Sequence, residues 1–242
     1  MSTGRPMGGG DYAAWKGWHA PFRVSEKQRR YFAGEIGRDR VRGRKVLEIG
    51  FGEGGFMAWC RDNGAEVYGI ETLPGLVDAG REQGFQTFLE EAFPWQEHAG
   101  TFDLVVALDV LEHLDLDGVD RLLGRLSAAA APGGLQIFRF PNGQSPFGRI
   151  FQYGDVTHQS VLSGPILGQL CQDSELRLVE AKKPFFPIVD RPLGRSPLRP
   201  LRRLADALLE RLLLWGVARG LGIRKYVLSP IVVVILEKGE EE

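Results

Sequence analysis

Apolar residues fall in short runs that alternate with segments of helical periodicity. Lys45–Ile49, Glu66–Ile70, Gln86–Leu89 and Leu135–Phe140 read as strands. Phe102–Leu108 (FDLVVAL) is a near-continuous apolar strand, as expected where both sheet faces are covered. Ser25-Glu26-Lys27-Gln28 has the form of a capping box and opens a helix toward Arg38. Gly55–Asn63 and Leu73–Gln83 read as helices stopped by Gly64 and Gly84. Val119–Ala130 reads as a helix capped by Asp115 or Asp117 and ended by Pro132-Gly133-Gly134. This alternation predicts an α/β fold: a mostly parallel sheet, right-handed crossovers and helices on both faces. Two late strands, about Glu175–Ala181 and Val227–Glu237, are separated by far more chain than a hairpin needs. The predicted organisation is an N-terminal helical cap over 1–44 and one domain over 45–242, with a helical insertion at about 182–226.

Charge sharpens the picture of the insertion. The 242-residue chain is nearly neutral, at −1. Residues 182–225 nevertheless hold eleven basic and three acidic side chains, a balance of +8 that leaves −9 on the remainder. From Pro200, Leu201, Leu204, Leu208, Leu212 and Trp215 recur at helical steps, with Arg202, Arg203, Asp206 and Glu210 opposite. A basic helix with Leu and Trp can lie in a membrane interface, which would place peripheral membrane contact at about 200–217. It can equally pack over its own core or in a homodimer contact. Nucleic acid is disfavoured, because no interleaved aromatic platform accompanies the charge.

Cysteine usage and length narrow the setting. Cys60 and Cys171 cannot build a disulfide framework or a CxxC zinc site, so a reducing, cytoplasmic compartment is expected. Met1–Gly10 lack the apolar core of a signal peptide, and no run reaches transmembrane length. Tyr12, Trp15, Trp18 and Phe22 form either a lid over a ligand or an aromatic anchor.

The chemistry begins where the first strand meets Gly50-Phe51-Gly52-Glu53-Gly54-Gly55. Glycines there let a backbone approach a ligand at a helix start, and Glu71 closes the next strand where an acid can accept both hydrogen bonds of a ribose diol. The spacing also satisfies G-x-G-x-x-G, so a dinucleotide oxidoreductase shares this part of the pattern. Glu48, in the strand, disfavours a pyrophosphate, since like charges repel. Together with FDLVVALDVLEHL at 102–114 and Pro132-Gly133-Gly134, these segments resemble class I S-adenosylmethionine (SAM)-dependent methyltransferases over about residues 45–141. The resemblance implies a Rossmann-like seven-stranded sheet closed by an antiparallel hairpin, with SAM as cofactor and S-adenosylhomocysteine (SAH) as product. By the same resemblance, Glu48, Gly50 and Gly52 lie under the methionine part and Glu71 holds the ribose. Glu91 (or Glu90) and Ala92 meet the adenine edge, and Leu108 and Asp109 line the sulfonium end. Asp109 and Glu112 can alternatively cap the turn that follows.

Methyl transfer needs alignment, exclusion of water and, for a hydroxyl acceptor, a base. Pro141–Gly148 followed by Tyr153–His158 supplies a polar loop with an Asp-x-x-His pair. His158 can take a proton with Asp155 orienting it, or the two can simply pin the loop. The stretch resembles methyltransferases of bacterial polysaccharide and O-antigen biosynthesis, which implies a small-molecule or lipid-linked saccharide acceptor. His113 reads as packing or turn-capping, and His19 and His98 read as surface residues. No metal site is expected. A SAM-binding regulatory or scaffold protein without turnover remains the alternative.

Overall fold

The computed structural model describes residues 21–172, 174–185 and 227–240, together with 208, 211–213, 215, 216, 219 and 220. The polypeptide forms strands β1 (Lys45–Ile49), β2 (Glu66–Glu71), β3 (Gln86–Leu89), β4 (Phe102–Leu108), β5 (Ala130–Pro141), β6 (Leu176–Lys182) and β7 (Ile231–Lys238). They pair in the order β3-β2-β1-β4-β5-β7-β6. The first five are parallel, while β7 runs antiparallel between β5 and β6. This is the Rossmann-like sheet with its C-terminal antiparallel hairpin.

Period-two alternation sends successive side chains to opposite faces. Leu47, Val105, Phe138 and Val234 face one layer, packed on helices α4 (Leu116–Ala129) and α6 (Gly164–Leu170) through Leu122, Leu126, Leu167 and Cys171. Val46, Val106, Ile137 and Val233 face the other layer, with Phe32 of α1 (Glu26–Glu35), Phe56, Trp59 and Cys60 of α2 (Gly55–Asp62) and Val77 of α3 (Pro74–Glu82). Burial of each large side chain stabilises the fold by roughly 1.5–3 kcal/mol before entropy is counted.

Several boundaries differ from the sequence pattern. The capping box at Ser25 and Gln28 is formed, but α1 stops at Glu35 because Gly37 turns the chain at φ 91°. Asp115 accepts the Gly118 N–H, so α4 begins at Leu116, earlier than its first buried residue suggested. Strand β5 already starts at Ala130, with Pro132-Gly133-Gly134 absorbed as an irregularity in the pairing. Strand β7 begins only at Ile231, because Val227–Pro230 form a loop bonded to residues 142–145. Helices α5 (Arg149–Gln152) and α6 lie in segments whose periodicity was too short to read. Phe22 is buried against Phe51 and Phe85, anchoring the cap's end. Tyr12, Trp15, Trp18 and most of the basic insertion lie outside the described residues.

Candidate functional site

The residues singled out from sequence lie at the carboxyl edge of the parallel strands, where open α/β sheets hold ligands. Strand β1 runs into Gly50, Gly52 and Gly54, at φ 64°, 52° and 69°. A Cβ on Gly50 would stand 2.6 Å from Val110 Cγ2, so only glycine fits. The Gly52 N–H donates to Glu71 Oε2 (3.0 Å), and the Thr72 N–H and hydroxyl donate to Oε1 (2.7 and 3.0 Å). Glu71 is thus tied at once to the glycine loop and to the end of β2. Pairing of Glu71 with Leu89 brings the turn Glu90–Ala92 beside it, with Glu90, Glu91 and Ala92 exposed.

Glu48 lies beneath this loop, buried. It accepts a hydrogen bond from the Met57 backbone, and its Oε2 has no hydrogen-bond partner among the described residues. Burial pushes its carboxyl well above the usual range, and neighbouring Glu71 adds to the shift. A buried acid with an oxygen to spare, beside a glycine cradle and an anchored second acid, suits a ligand carrying both an ammonium and a ribose diol. SAM carries both, and Glu48, Gly50, Gly52 and Glu71 would hold it. When bound, SAM supplies a methyl already activated by sulfonium charge.

Leu108 and Asp109 end β4. Asp109 sits at φ 60°, a conformation uncommon outside glycine. Its carboxylate pairs with Arg139 of β5 through both Nε (2.9 Å) and Nη2, and its N–H donates to the Arg139 carbonyl (2.8 Å). Arg139 Nη1 also donates to Tyr31 Oη of α1 (2.9 Å). Burial alone would lower the Arg139 pKa, but Asp109 outweighs it and holds the guanidinium above its ordinary value. Tyr31 and Arg139 were not picked out from sequence. The one available signal was a lone arginine inside the apolar run Leu135–Phe140.

Two segments meet beyond the end of β4. A turn at Leu111–His113 follows β4, and the loop Asp155–Ser160 folds back onto it, with the Gln159 and Ser160 N–H groups donating to the Glu112 carbonyl. The rings of His113 and His158 meet edge to face at 4.7 Å. His158 Nδ1 lies 3.0 Å from the Gln152 carbonyl and therefore carries the proton. The Thr157 hydroxyl donates to Asp155 Oδ1 (2.6 Å), so its oxygen accepts from His113 Nδ1 (2.8 Å). In its neutral form each imidazole therefore has its basic lone pair on Nε2. Asp155 Oδ2 stands 4.0 Å from His158 Nε2, within ion-pair range but beyond hydrogen-bond length, and Asp155 also reaches His113 through the Thr157 hydroxyl.

His113 packs against His158, and the Thr157 hydroxyl that meets it lies 44 residues along the chain, beyond the reach of a local pattern. His98 is not a surface residue: it packs half-buried against Tyr68, Phe93 and Phe102. Glu112, His113 and His158 each place one donor atom within 4.8 Å of the others, a set that can share a proton or hold a divalent ion. A cavity of about 190 Å³ lined by Arg40, Arg44, Asp103 and Gly133 lies at the opposite, amino edge of the strands, away from all these groups.

A family model described as a methyltransferase domain matches residues 22–181. Ubiquinone biosynthesis O-methyltransferases of Coxiella burnetii strains are 26% identical over 104 residues, which cover 40% of this chain. The match spans 44% of the relative, so the chain covers less than half the length of these curated proteins. A SAM-dependent methyltransferase from Archaeoglobus fulgidus superposes with TM-score 0.51 at 19% identity, covering 86% of this chain and 89% of that one. A putative methyltransferase of Haloferax volcanii, solved with the Trm112 activator, gives 0.59 at 12% identity over 96% and 98%. At these identities the solved structures speak for the fold, and the sequence match over residues 22–181 speaks for descent. The chain belongs to the methyltransferase-domain family and has the fold of these SAM-dependent methyltransferase structures.

Proposed function

We propose that this protein transfers the methyl group of SAM to a hydroxyl oxygen of a saccharide, a lipid-linked saccharide or a similar small-molecule acceptor. The observation that carries the oxygen reading is the histidine pair beyond β4, with Asp155, Thr157 and the Gln152 carbonyl fixing both tautomers. An alcohol is a weak nucleophile until its proton has somewhere to go, and an imidazole Nε2 can take it near neutral pH. An amine acceptor, once deprotonated, is already a good nucleophile and depends less on a base held at the moment of transfer. The name of the Coxiella burnetii relatives, O-methyltransferase, points the same way. The loop 141–158, which resembles polysaccharide-associated methyltransferases, supports the saccharide class. A non-catalytic SAM-binding protein would need the cofactor cradle but not the oriented histidines.

Methyl-labelled SAM incubated with the protein and a fractionated bacterial extract tests the reading. Label should appear on an acceptor in the lipid-extractable or saccharide fraction, in a bond with the stability of an ether. His113→Ala and His158→Ala should each bind SAH normally, and at least one should lose about 10²–10⁴ in turnover. Unchanged turnover in both variants, or label only on nitrogen, would overturn the oxygen assignment. Chelation with EDTA separates the two uses of the Glu112–His113–His158 cluster: a proton relay predicts an unchanged rate.

A further inference from the structure

We propose that the segment 147–156 and the described helical residues 208, 211–213, 215, 216 and 219 form one interfacial surface that docks on an anionic lipid bilayer. The first observation is a run of exposed apolar side chains. Phe147, Ile150, Phe151, Tyr153 and Val156 all face out, with Ile150 71%, Tyr153 69% and Val156 89% exposed. Ile150 and Phe151 lie in the one-turn helix α5 and the other three flank it, and the Arg149 guanidinium stands over the Tyr153 ring at 5.3 Å. Clustered exposed residues of this kind mark interaction sites rather than ordinary surface.

The second observation lies in the insertion. Leu208, Leu212, Leu213 and Trp215 are helical and exposed, Leu212 at 58% and Trp215 at 62%. Arg219 stands 5.3 Å from the Trp215 ring. A helix packed on its own core would cover its leucines; here the described ones are open. Both segments are rooted at the same edge of the sheet. As the chain leaves the insertion, the Val227 and Ser229 carbonyls accept from Asn142 Nδ2 (2.7 and 3.0 Å), and the Leu228 carbonyl accepts from Ser145 Oγ (2.6 Å). Phe147 follows two residues later.

Charge selects the occupant. Residues 182–225 carry +8 in a chain whose remainder is −9. A second copy docking through the same face would set Arg149, Arg211 and Arg219 against their like, whereas an anionic bilayer meets these exposed arginines with opposite charge and the Leu, Ile, Phe and Trp side chains with acyl chains. The mode is peripheral, since among the described residues no helix is long and apolar enough to cross a membrane. Val156 precedes His158 by two residues, so docking sets the acceptor loop against the lipid. This extends the lipid-linked branch of the proposed function, but its test involves neither acceptor nor methyl transfer, so either can fail alone.

The test is co-sedimentation of the full chain with vesicles of phosphatidylcholine alone or mixed with phosphatidylglycerol. The expected result is at least about tenfold stronger binding to the anionic vesicles, weakening as salt is raised. The pairs Ile150→Glu with Val156→Glu, and Leu212→Glu with Trp215→Glu, should each reduce binding about tenfold or more while SAH binding persists as the check on folding. Equal or negligible binding to both vesicle types would overturn the proposal, as would full binding by both pairs of variants. A concentration-dependent dimer in sedimentation equilibrium, dissolved by the same variants, would assign the surface to a second copy instead.

Discussion

Glu48 shows how one side chain can oppose folding while favouring a ligand. Its carboxyl is held well above the usual range chiefly by burial, so the folded state retains a proton that the unfolded chain releases earlier. Below the ordinary carboxyl range this difference vanishes. As pH rises above it, the unfolded chain ionises freely while the buried group resists, and stability falls. Glu48→Gln should therefore match the wild type near pH 4 and exceed it near pH 8. The gain should be about 1–3 kcal/mol, or about 2–12 °C in thermal melts of a chain this size. SAH affinity should move the other way, weakening roughly tenfold or more, because the amide can accept a hydrogen bond from an ammonium but brings no charge to offset it. A variant less stable than the wild type at pH 8 would rule out an uncompensated buried carboxyl. Position 48 was legible in the sequence as an acid in an apolar strand ahead of glycines. Its protonation was not, because burial depends on α2 closing over it.

At the level of elements, the cap helix α1 is fastened to the site rather than merely laid over the core. Tyr31 bonds Arg139, which holds Asp109 at the end of β4. Four residues on, the buried Glu35 meets Lys182 Nζ at 3.1 Å and accepts the Phe185 N–H, linking α1 to the chain that enters the insertion. Burial raises the Tyr31 phenol above its usual pKa against the pull of Arg139, so it acts as a neutral hydrogen-bond partner. Tyr31→Phe should cost about 1–2 kcal/mol and raise amide exchange within Glu26–Glu35, leaving β1 and β4 protected. Uniform loss of protection across the sheet would refute a local tether. The sequence announced α1 through its capping box and β4 through its apolar run, because both signals are local. The joint between them depends on side chains 108 residues apart, which no short-range pattern encodes. The pairing of His113 with Thr157 escaped notice for the same reason, at a separation of 44 residues.

For the whole molecule, the sheet is a partition. The layer on α4 and α6 and the layer on α1–α3 share strands but keep separate apolar interiors. Each contains a single cysteine: Cys171 in the first, Cys60 in the second, both buried and unpaired. Burial raises both thiols above their usual pKa, and Glu48 adds to the shift at Cys60. Neither should react with a thiol reagent in the native state, and both should react fully in denaturant. Between those limits the two sites become independent clocks. Pulse labelling during slow opening, resolved by peptide mass, reads when each side of the sheet admits solvent. Simultaneous labelling would mean that the domain opens as one cooperative unit. Earlier labelling of Cys60, suppressed by SAH, would mean that the cofactor holds shut the side on which its loop is built. The chain thus carries, without any engineering, a pair of chemical reporters that can divide its stability between two halves.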